Sequence, residues 1–203
     1  GAGPSGSVAA SIAHKQGLKV KVIEKLRFPR FVIGESLLPR CMVALETAEL
    51  LDAVKACGFQ EKFGAKFIQD GKVCEFNFAD QFSDGWNWTW QVPRADFDLA
   101  LITEVERKGV DVTFGLGVTG VEFFDGYSHV SVEDESGNPS TIKAKFIIDS
   151  SGYGRVLPRL LNLDKPSNLG ARKSLFTHVK DIKRPTTHNN KQIIVVDHKP
   201  GVW

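Results

Sequence analysis

Three glycines open the chain in Gly1-Ala2-Gly3-Pro4-Ser5-Gly6, spaced as G-x-G-x-x-G, and a carboxylate follows at Glu24. In a strand-turn-helix unit the first such glycine permits a tight turn and the second lets backbone approach a pyrophosphate. The third lets the helix pack on its strand. The pyrophosphate then sits at a helix N-terminus, where free N–H groups and the positive end of the dipole favour anions. An acid about 20 residues further on binds ribose hydroxyls, and Glu24, with Lys25 beside it, falls close to that offset. The chemistry these types and spacings could do is to grip an adenine dinucleotide. The alternative for Glu24 is an ordinary surface acid after an ordinary turn.

The elements that must position these residues are legible in outline. Ser7 to Gln16 is small and apolar enough to lie against a sheet, and Gly17 suits a helix C-terminus. Leu18 to Ile23 reads as a strand ending on Glu24. The strand that should run into Gly1 is missing, so the chain is expected to be a fragment of a longer protein. Leu26 to Gly34 is a loop, and Leu38 to Cys57 a helix with Cys41, Leu45, Ala48, Leu51 and Val54 at helical spacing. From Phe59 to Val92 short alternating segments carry Phe63, Phe67, Phe76, Phe78, Phe82, Trp86, Trp88 and Trp90, which predicts an antiparallel sheet. These rings are either plain core or the wall of a site for an aromatic substrate.

Asp96 to Lys108 predicts a helix, Val110 to Phe114 a buried strand, and Val118 to Phe124 with Tyr127 to Glu133 a hairpin around Asp125-Gly126. Thr141 to Asp149 predicts another strand, running into Ser150-Ser151-Gly152, and Leu175 to Val179 and Ile193 to Val196 two more. The fold class read from this order is α/β. A Rossmann-like FAD/NAD(P)-binding domain is interleaved with an antiparallel substrate domain, residues 1–58 and 94–160 forming the first and 59–93 and 161–203 the second. A plain dehydrogenase would keep alternating strand and helix.

Composition excludes other classes. The 203 residues are 42% hydrophobic and 25% charged with a net charge of +2, which argues for neither nucleic acid nor an anionic membrane surface. No apolar run approaches the ~20 residues of a membrane span. Cys41, Cys57 and Cys74 show no C-x-x-C spacing and predict reduced thiols in a cytoplasmic protein. His14, His129, His178, His188 and His198 have no metal-ligand spacing, so no metal is expected.

Four stretches together resemble the flavin-dependent halogenase branch of the FAD monooxygenase superfamily, which also holds aromatic hydroxylases and geranylgeranyl reductases. They are GAGPSG with Glu24, FPRFVIGESLLP (Phe28 to Pro39), WQVPRADFD (Trp90 to Asp98) and FIIDSSGYGR (Phe146 to Arg155). The resemblance implies FAD, with Gly1, Gly3, Pro4, Ser5 and Gly6 cradling the pyrophosphate and Glu24 and Lys25 at the adenosine end. Arg94 would pair with phosphate or ribityl oxygens through its fork of donors, or is a surface arginine at a helix start. Val118 would offer backbone to adenine. Asp149 and Gly152 would meet the cofactor, or merely cap a strand exit. Glu35 and Ser36 would border the flavin, or form the N-cap of the next helix.

The resemblance also implies a catalytic lysine between flavin and substrate, and Lys62 in EKFGAKF matches it. In that chemistry a flavin hydroperoxide oxidises halide, and the hypohalous acid is hydrogen-bonded by the lysine or carried by it as a haloamine. The second role needs a depressed pKa, which burial among aromatics such as Phe63 and Phe67 can supply. Lys66, expected on the same strand face, is the rival. The halogenase signature W-x-W-x-I-P is mimicked by Trp88-Thr89-Trp90-Gln91-Val92-Pro93, read here as an ordinary strand leading to Arg94. Trp203 is expected to begin the genuine motif.

The expected function is an FAD-dependent monooxygenase or halogenase acting on an aromatic or electron-rich small molecule. No second glycine motif serves a nicotinamide, so a separate flavin reductase is the expected partner, and the chain alone is expected to be inactive. The alternatives are a flavin reductase of the geranylgeranyl type and a non-enzymatic nucleotide-binding module.

Overall fold

The computed structural model describes residues 1–171, 173–180, 182 and 192–196. The elements in order are α1 (Pro4–Lys15), β1 (Lys21–Glu24), α2 (Pro39–Thr47), α3 (Leu51–Ala56), β2 (Gln60–Lys62), β3 (Gly64–Gln69), β4 (Lys72–Asn77) and β5 (Thr89–Gln91). They continue with α4 (Arg94–Arg107), β6 (Asp111–Phe114), β7 (Leu116–Phe124), β8 (Tyr127–Asp134), β9 (Pro139–Ala144), α5 (Val156–Leu160) and β10 (Gln192–Val196).

The opening unit folds as its residue types dictate. Proline at the first helical position needs no N–H partner and starts α1. Gly17, at φ +81°, ends it in a Schellman pattern: its N–H donates to His14 O, and the Leu18 N–H donates to Ala13 O. β1 lies parallel to β6, Glu24 opposite Phe114 at the end of the pair. α1 buries Gly6, Ser7, Ala10 and Ser11, small residues that let it lie close to α4. From α4, Phe97, Leu101, Ile102 and Val105 join Met42, Leu45, Leu50, Val54, Trp90 and Val92 in one apolar core.

The helix expected over Leu38 to Cys57 is two helices. Between them Glu49 adopts a left-handed φ of +56°, a conformation costing on the order of 1–2 kcal/mol for a non-glycine residue. Contacts that no sequence window contains offset that cost. Ser11 Oγ donates to Ala48 O (2.7 Å), and Lys108 Nζ donates to both Ala48 O (3.1 Å) and Glu49 O (2.8 Å). The break also buries Leu50 completely.

The aromatic-rich region is not one antiparallel sheet. β3 pairs antiparallel with β4 and parallel with β10, whereas β2 pairs antiparallel with β5. Trp90 and Phe78 are buried, Phe76 and Phe82 are exposed, and Trp86, Trp88 and Trp90 stack edge to face. The hairpin at Asp125-Gly126 forms as read, joining β7 to β8, with β9 completing a three-stranded antiparallel sheet. β9 covers only Pro139–Ala144, so the strand expected over Thr141 to Asp149 stops before Phe146, which stands exposed. Leu175 to Val179 forms no strand and its apolar side chains are exposed, whereas Ile193 to Val196 does, within β10. His188, His198 and the Lys199 to Trp203 segment lie outside the described residues. Among the described residues no helix is long and apolar enough to cross a membrane, and no cluster of three or more His, Cys, Asp or Glu could hold a metal ion.

Leu101 is fully buried where α4 meets the core. Leu101→Ala is expected to lower unfolding stability by about 2–5 kcal/mol, read as a lower urea midpoint at an unchanged slope.

Candidate functional site

The opening turn is built by close approach. A Cβ on Gly6 would collide with the Gly1 carbonyl, and one on Gly1 would lie 2.5 Å from Ser150 O. Glycine is therefore required for the helix and the segment after Asp149 to close on the turn together. A Cβ on Gly3 would meet Arg30 Nη2 at 3.3 Å. Pro4 and Ser5 begin α1, and the Ser7 N–H donates to Gly3 O (2.9 Å). Glu24 turns toward this loop: the Ala2 N–H donates to its Oε2 (2.8 Å) and the Leu26 N–H to its Oε1 (3.0 Å). Lys25 is exposed and its stem runs 3.5 Å from the Cβ position of Gly117, at the start of β7. Val118 follows there, opposite Val132, beside a β-bulge.

Arg94 makes its hydrogen bonds within the chain. It is the first residue of α4, and its Nε and Nη2 fork onto the carboxylate of Asp98, one helical turn on, at 2.8 and 3.0 Å. Asp98 is fully buried and also faces Arg30, whose Nη1 lies 3.1 Å from Asp98 Oδ2. Arg30 in turn stacks over the Phe28 ring, 4.5 Å from its centroid. Its Nη1 is buried yet makes no well-aligned hydrogen bond among the described residues. Two guanidiniums share one carboxylate, so the cluster beside Gly3 keeps a surplus of positive charge. A bare-backbone turn, an under-partnered guanidinium N–H and a carboxylate at the strand end are the donor and acceptor set that a pyrophosphate and a ribose require. The sequence reading missed Arg30 and Asp98, although the i, i+4 spacing of Arg94 and Asp98 was a visible signal for the second.

A second cluster centres on Lys62, the last residue of β2 and 1% exposed. Its Nζ donates to Ser36 Oγ and to Leu37 O, both at 2.6 Å. The Phe78 ring lies 5.2 Å from Nζ. Burial pushes the Lys62 pKa down, and the nearby Cys41 thiol partly opposes this. Glu35 and Ser36 do not cap α2, whose N-cap position belongs to Leu38. Their backbone instead extends the β2–β5 sheet: Ser36 bridges Gln91, Glu35 O accepts from the Val92 N–H (2.8 Å), and the Leu37 N–H donates to Trp90 O (3.2 Å). Trp88 precedes β5, and Val92 and Pro93 lead from it into α4.

Lys66 does not share this site. It lies on β3, in a different sheet, and its ammonium pairs with Glu75 on β4. Phe67 is about half exposed, and the buried Phe78 ring is the one that lies over the Lys62 nitrogen. Asp149 accepts from the Ser151 N–H (2.8 Å) and the Leu157 N–H (2.9 Å), tying the segment that holds Gly152 to α5. Burial alone would raise the Asp149 pKa, but these hydrogen bonds outweigh it and hold the carboxyl below its ordinary range. The two clusters meet at Gly34, whose carbonyl accepts from Arg94 Nη1 (3.4 Å).

Residues 1–199 match the family described as FAD binding domain. A tryptophan 2-halogenase of Chondromyces crocatus is 34% identical over 155 residues, which are 75% of this chain and 29% of that protein. A crystal structure of a flavoprotein/dehydrogenase from Cytophaga hutchinsonii superposes with a TM-score of 0.93 at 59% identity, covering 98% of this chain and 49% of that one. The crystal structure of CmlS, a flavin-dependent halogenase, gives a TM-score of 0.74 at 34% identity over 80% of this chain and 30% of that one. The chain spans less than half the length of each of these proteins.

Asp98 is the one carboxylate paired with both partly buried guanidiniums among the described residues. Asp98→Asn is expected to lower unfolding stability by about 3–5 kcal/mol in a denaturant titration, the size found when one member of a buried pair is lost.

Proposed function

The chain belongs to the FAD binding domain family, its cofactor is FAD, and on that premise we propose that it is the cofactor-binding part of a flavin-dependent halogenase acting on an electron-rich small molecule. The observation that carries this reading is Lys62, a buried ammonium fastened to the segment holding Glu35 and Ser36. FAD, when bound and reduced, supplies the electrons that activate dioxygen. The chain's own residues do the rest. Gly1, Gly3, Ser5 and Gly6 hold the pyrophosphate, Arg30 and Arg94 add positive charge beside it, and Glu24 takes the ribose hydroxyls. Pro4, Lys25, Val118, Asp149 and Gly152 border the same cofactor.

Lys62 then handles the oxidised halogen. As an ammonium it donates hydrogen bonds to hypohalous acid and keeps it from diffusing away. As a free amine it takes the halogen from hypohalous acid with loss of water, and transfers it to a carbon of the substrate ring, which releases a proton. Burial favours the amine form, and the Phe78 ring excludes water from the approach. Residues 1–58 and 94–160 serve the cofactor in this reading, and 59–93 and 161–203 the substrate. The enzyme would be cytoplasmic, receive reduced flavin from a separate reductase, and need residues beyond this chain for turnover.

A second reading is supported by the 59%-identical flavoprotein/dehydrogenase: removal or addition of hydrogen on substrate, with no use for Lys62. Dioxygen separates the two. In the full-length protein with reduced FAD, halide and a panel of indoles and phenols, halogenated product is expected to form only aerobically. Lys62→Ala is expected to abolish it while FAD binding persists. Turnover that survives without oxygen supports the dehydrogenase or reductase instead.

The grip on the adenosine end has its own measure. Glu24→Ala is expected to weaken FAD binding about ten- to a hundredfold in a flavin-fluorescence titration, the value of hydrogen bonds to a charged group.

A further inference from the structure

We propose that Ser36 is a positioning residue for Lys62, its hydroxyl holding the side-chain nitrogen in one place whether or not that nitrogen carries its proton. The proposal rests on the reading of Lys62 as the residue that handles the oxidised halogen.

A lysine side chain is a flexible four-carbon stem with three rotatable donors, and left alone its ammonium would sample many positions. Here two acceptors fix it. Leu37 O is rigid, because the Leu37 N–H is itself paired to Trp90 O across the sheet. A carbonyl, however, can only accept. When Lys62 gives up a proton and its nitrogen gains a lone pair, nothing at Leu37 can hold that lone pair. A serine hydroxyl both donates and accepts. Ser36 Oγ accepts from the ammonium at 2.6 Å and can turn its own hydrogen toward the neutral amine without moving an atom of the backbone.

The backbone bridge from Ser36 to Gln91, together with the pairing of Lys62 to Thr89 on the same strand β5, places both side chains on one face of the sheet. Lys62 is buried, so solvent does not compete for either bond. Among the described residues Thr89 lies opposite it on β5, the Phe78 ring lies over its nitrogen, and the Cys41 thiol from α2 is the titratable group acting on it. No other side-chain hydroxyl is seen to bond Lys62 among the described residues, since Thr89 Oγ1 beside it has no hydrogen-bond partner. Ser36 belongs to the segment that would border the flavin, so the same residue ties the lysine to the loop the cofactor rests on.

The test uses the full-length protein and three variants, Ser36→Ala, Ser36→Thr and Lys62→Ala, with two readouts. The first is acetylation of Lys62 by acetic anhydride, followed by mass spectrometry as a function of pH in the flavin-loaded protein, and it does not depend on turnover. Removing an acceptor from an ammonium favours the free amine, so Ser36→Ala is expected to acetylate about tenfold faster near neutral pH, with its profile moved to lower pH. Ser36→Thr, which keeps the hydroxyl, is expected to follow the parent protein. The second readout is halogenated product against pH. Ser36→Ala is expected to lose about tenfold in rate with the alkaline limb displaced downward, and Ser36→Thr to recover both.

An acetylation profile in Ser36→Ala identical to the parent overturns the role of Ser36, whatever happens to turnover. So does a Ser36→Ala variant that loses rate only because it no longer takes up FAD. Product formation that persists in Lys62→Ala instead removes the halogenase reading of Lys62, while the acetylation profiles still decide whether Ser36 holds it.

Discussion

A carboxylate taken wholly out of water must be met by matched positive charge and hydrogen bonds, and in this chain that carboxylate is Asp98. Arg94 meets it from one turn back on the same helix, and Arg30 from a loop far away in sequence. Arg94 is a local partner and would be present in an isolated helix. Arg30 is not: its approach draws the Phe28 to Gly34 loop across the start of α4 and sets it beside Gly3. The loop then continues into Glu35, Ser36 and Leu37, which add themselves to the edge of β5. One buried acid thus determines where the glycine turn has its charged neighbour and where the lysine segment begins.

The two clusters differ in electrostatic character for a structural reason. Around Asp98 the guanidiniums outnumber the carboxylate, and glycine backbone leaves room next to them, which suits a dianionic pyrophosphate. Around Lys62 no ion pair with a carboxylate is formed among the described residues. The partners seen there are a hydroxyl, a carbonyl, a ring face and a thiol. A lysine so placed is held by dipoles, and its proton is correspondingly easy to lose. That is a poor arrangement for the stability of the charged form, because burial without a counter-charge disfavours the ammonium.

Much of the frame was readable residue by residue. The glycine turn, the α1 helix with its Gly17 stop, the strand ending on Glu24 and the Asp125-Gly126 hairpin all depend on spacing and turn chemistry within a short window. The errors share one cause. The helix from Leu38 to Cys57 was continuous by periodicity, but Ser11 and Lys108 reach the Ala48 and Glu49 carbonyls from other elements and hold a break there. Alternation along one strand puts Lys66 on the face of Lys62, but the strand divides at Phe63, and β2 and β3 enter different sheets. Phe78 lies over the lysine nitrogen although it is distant in sequence, since cross-chain packing and not sequence adjacency brings that ring there. The strand over Thr141 to Asp149 ended early, because its apolar end finds no pairing strand among the described residues.

By itself the order of residue types determined an α/β chain with a glycine turn, a helix after it and a strand closing on Glu24, because each of those rests on short-range geometry that any folded context preserves. Tertiary structure alone decided that Arg30 joins Arg94 at Asp98, and that Ser36 and Leu37 receive the lysine. Those pairings join residues separated by dozens of positions, and which of many chemically suitable partners meet is settled by how helices and strands pack, a quantity no local pattern encodes.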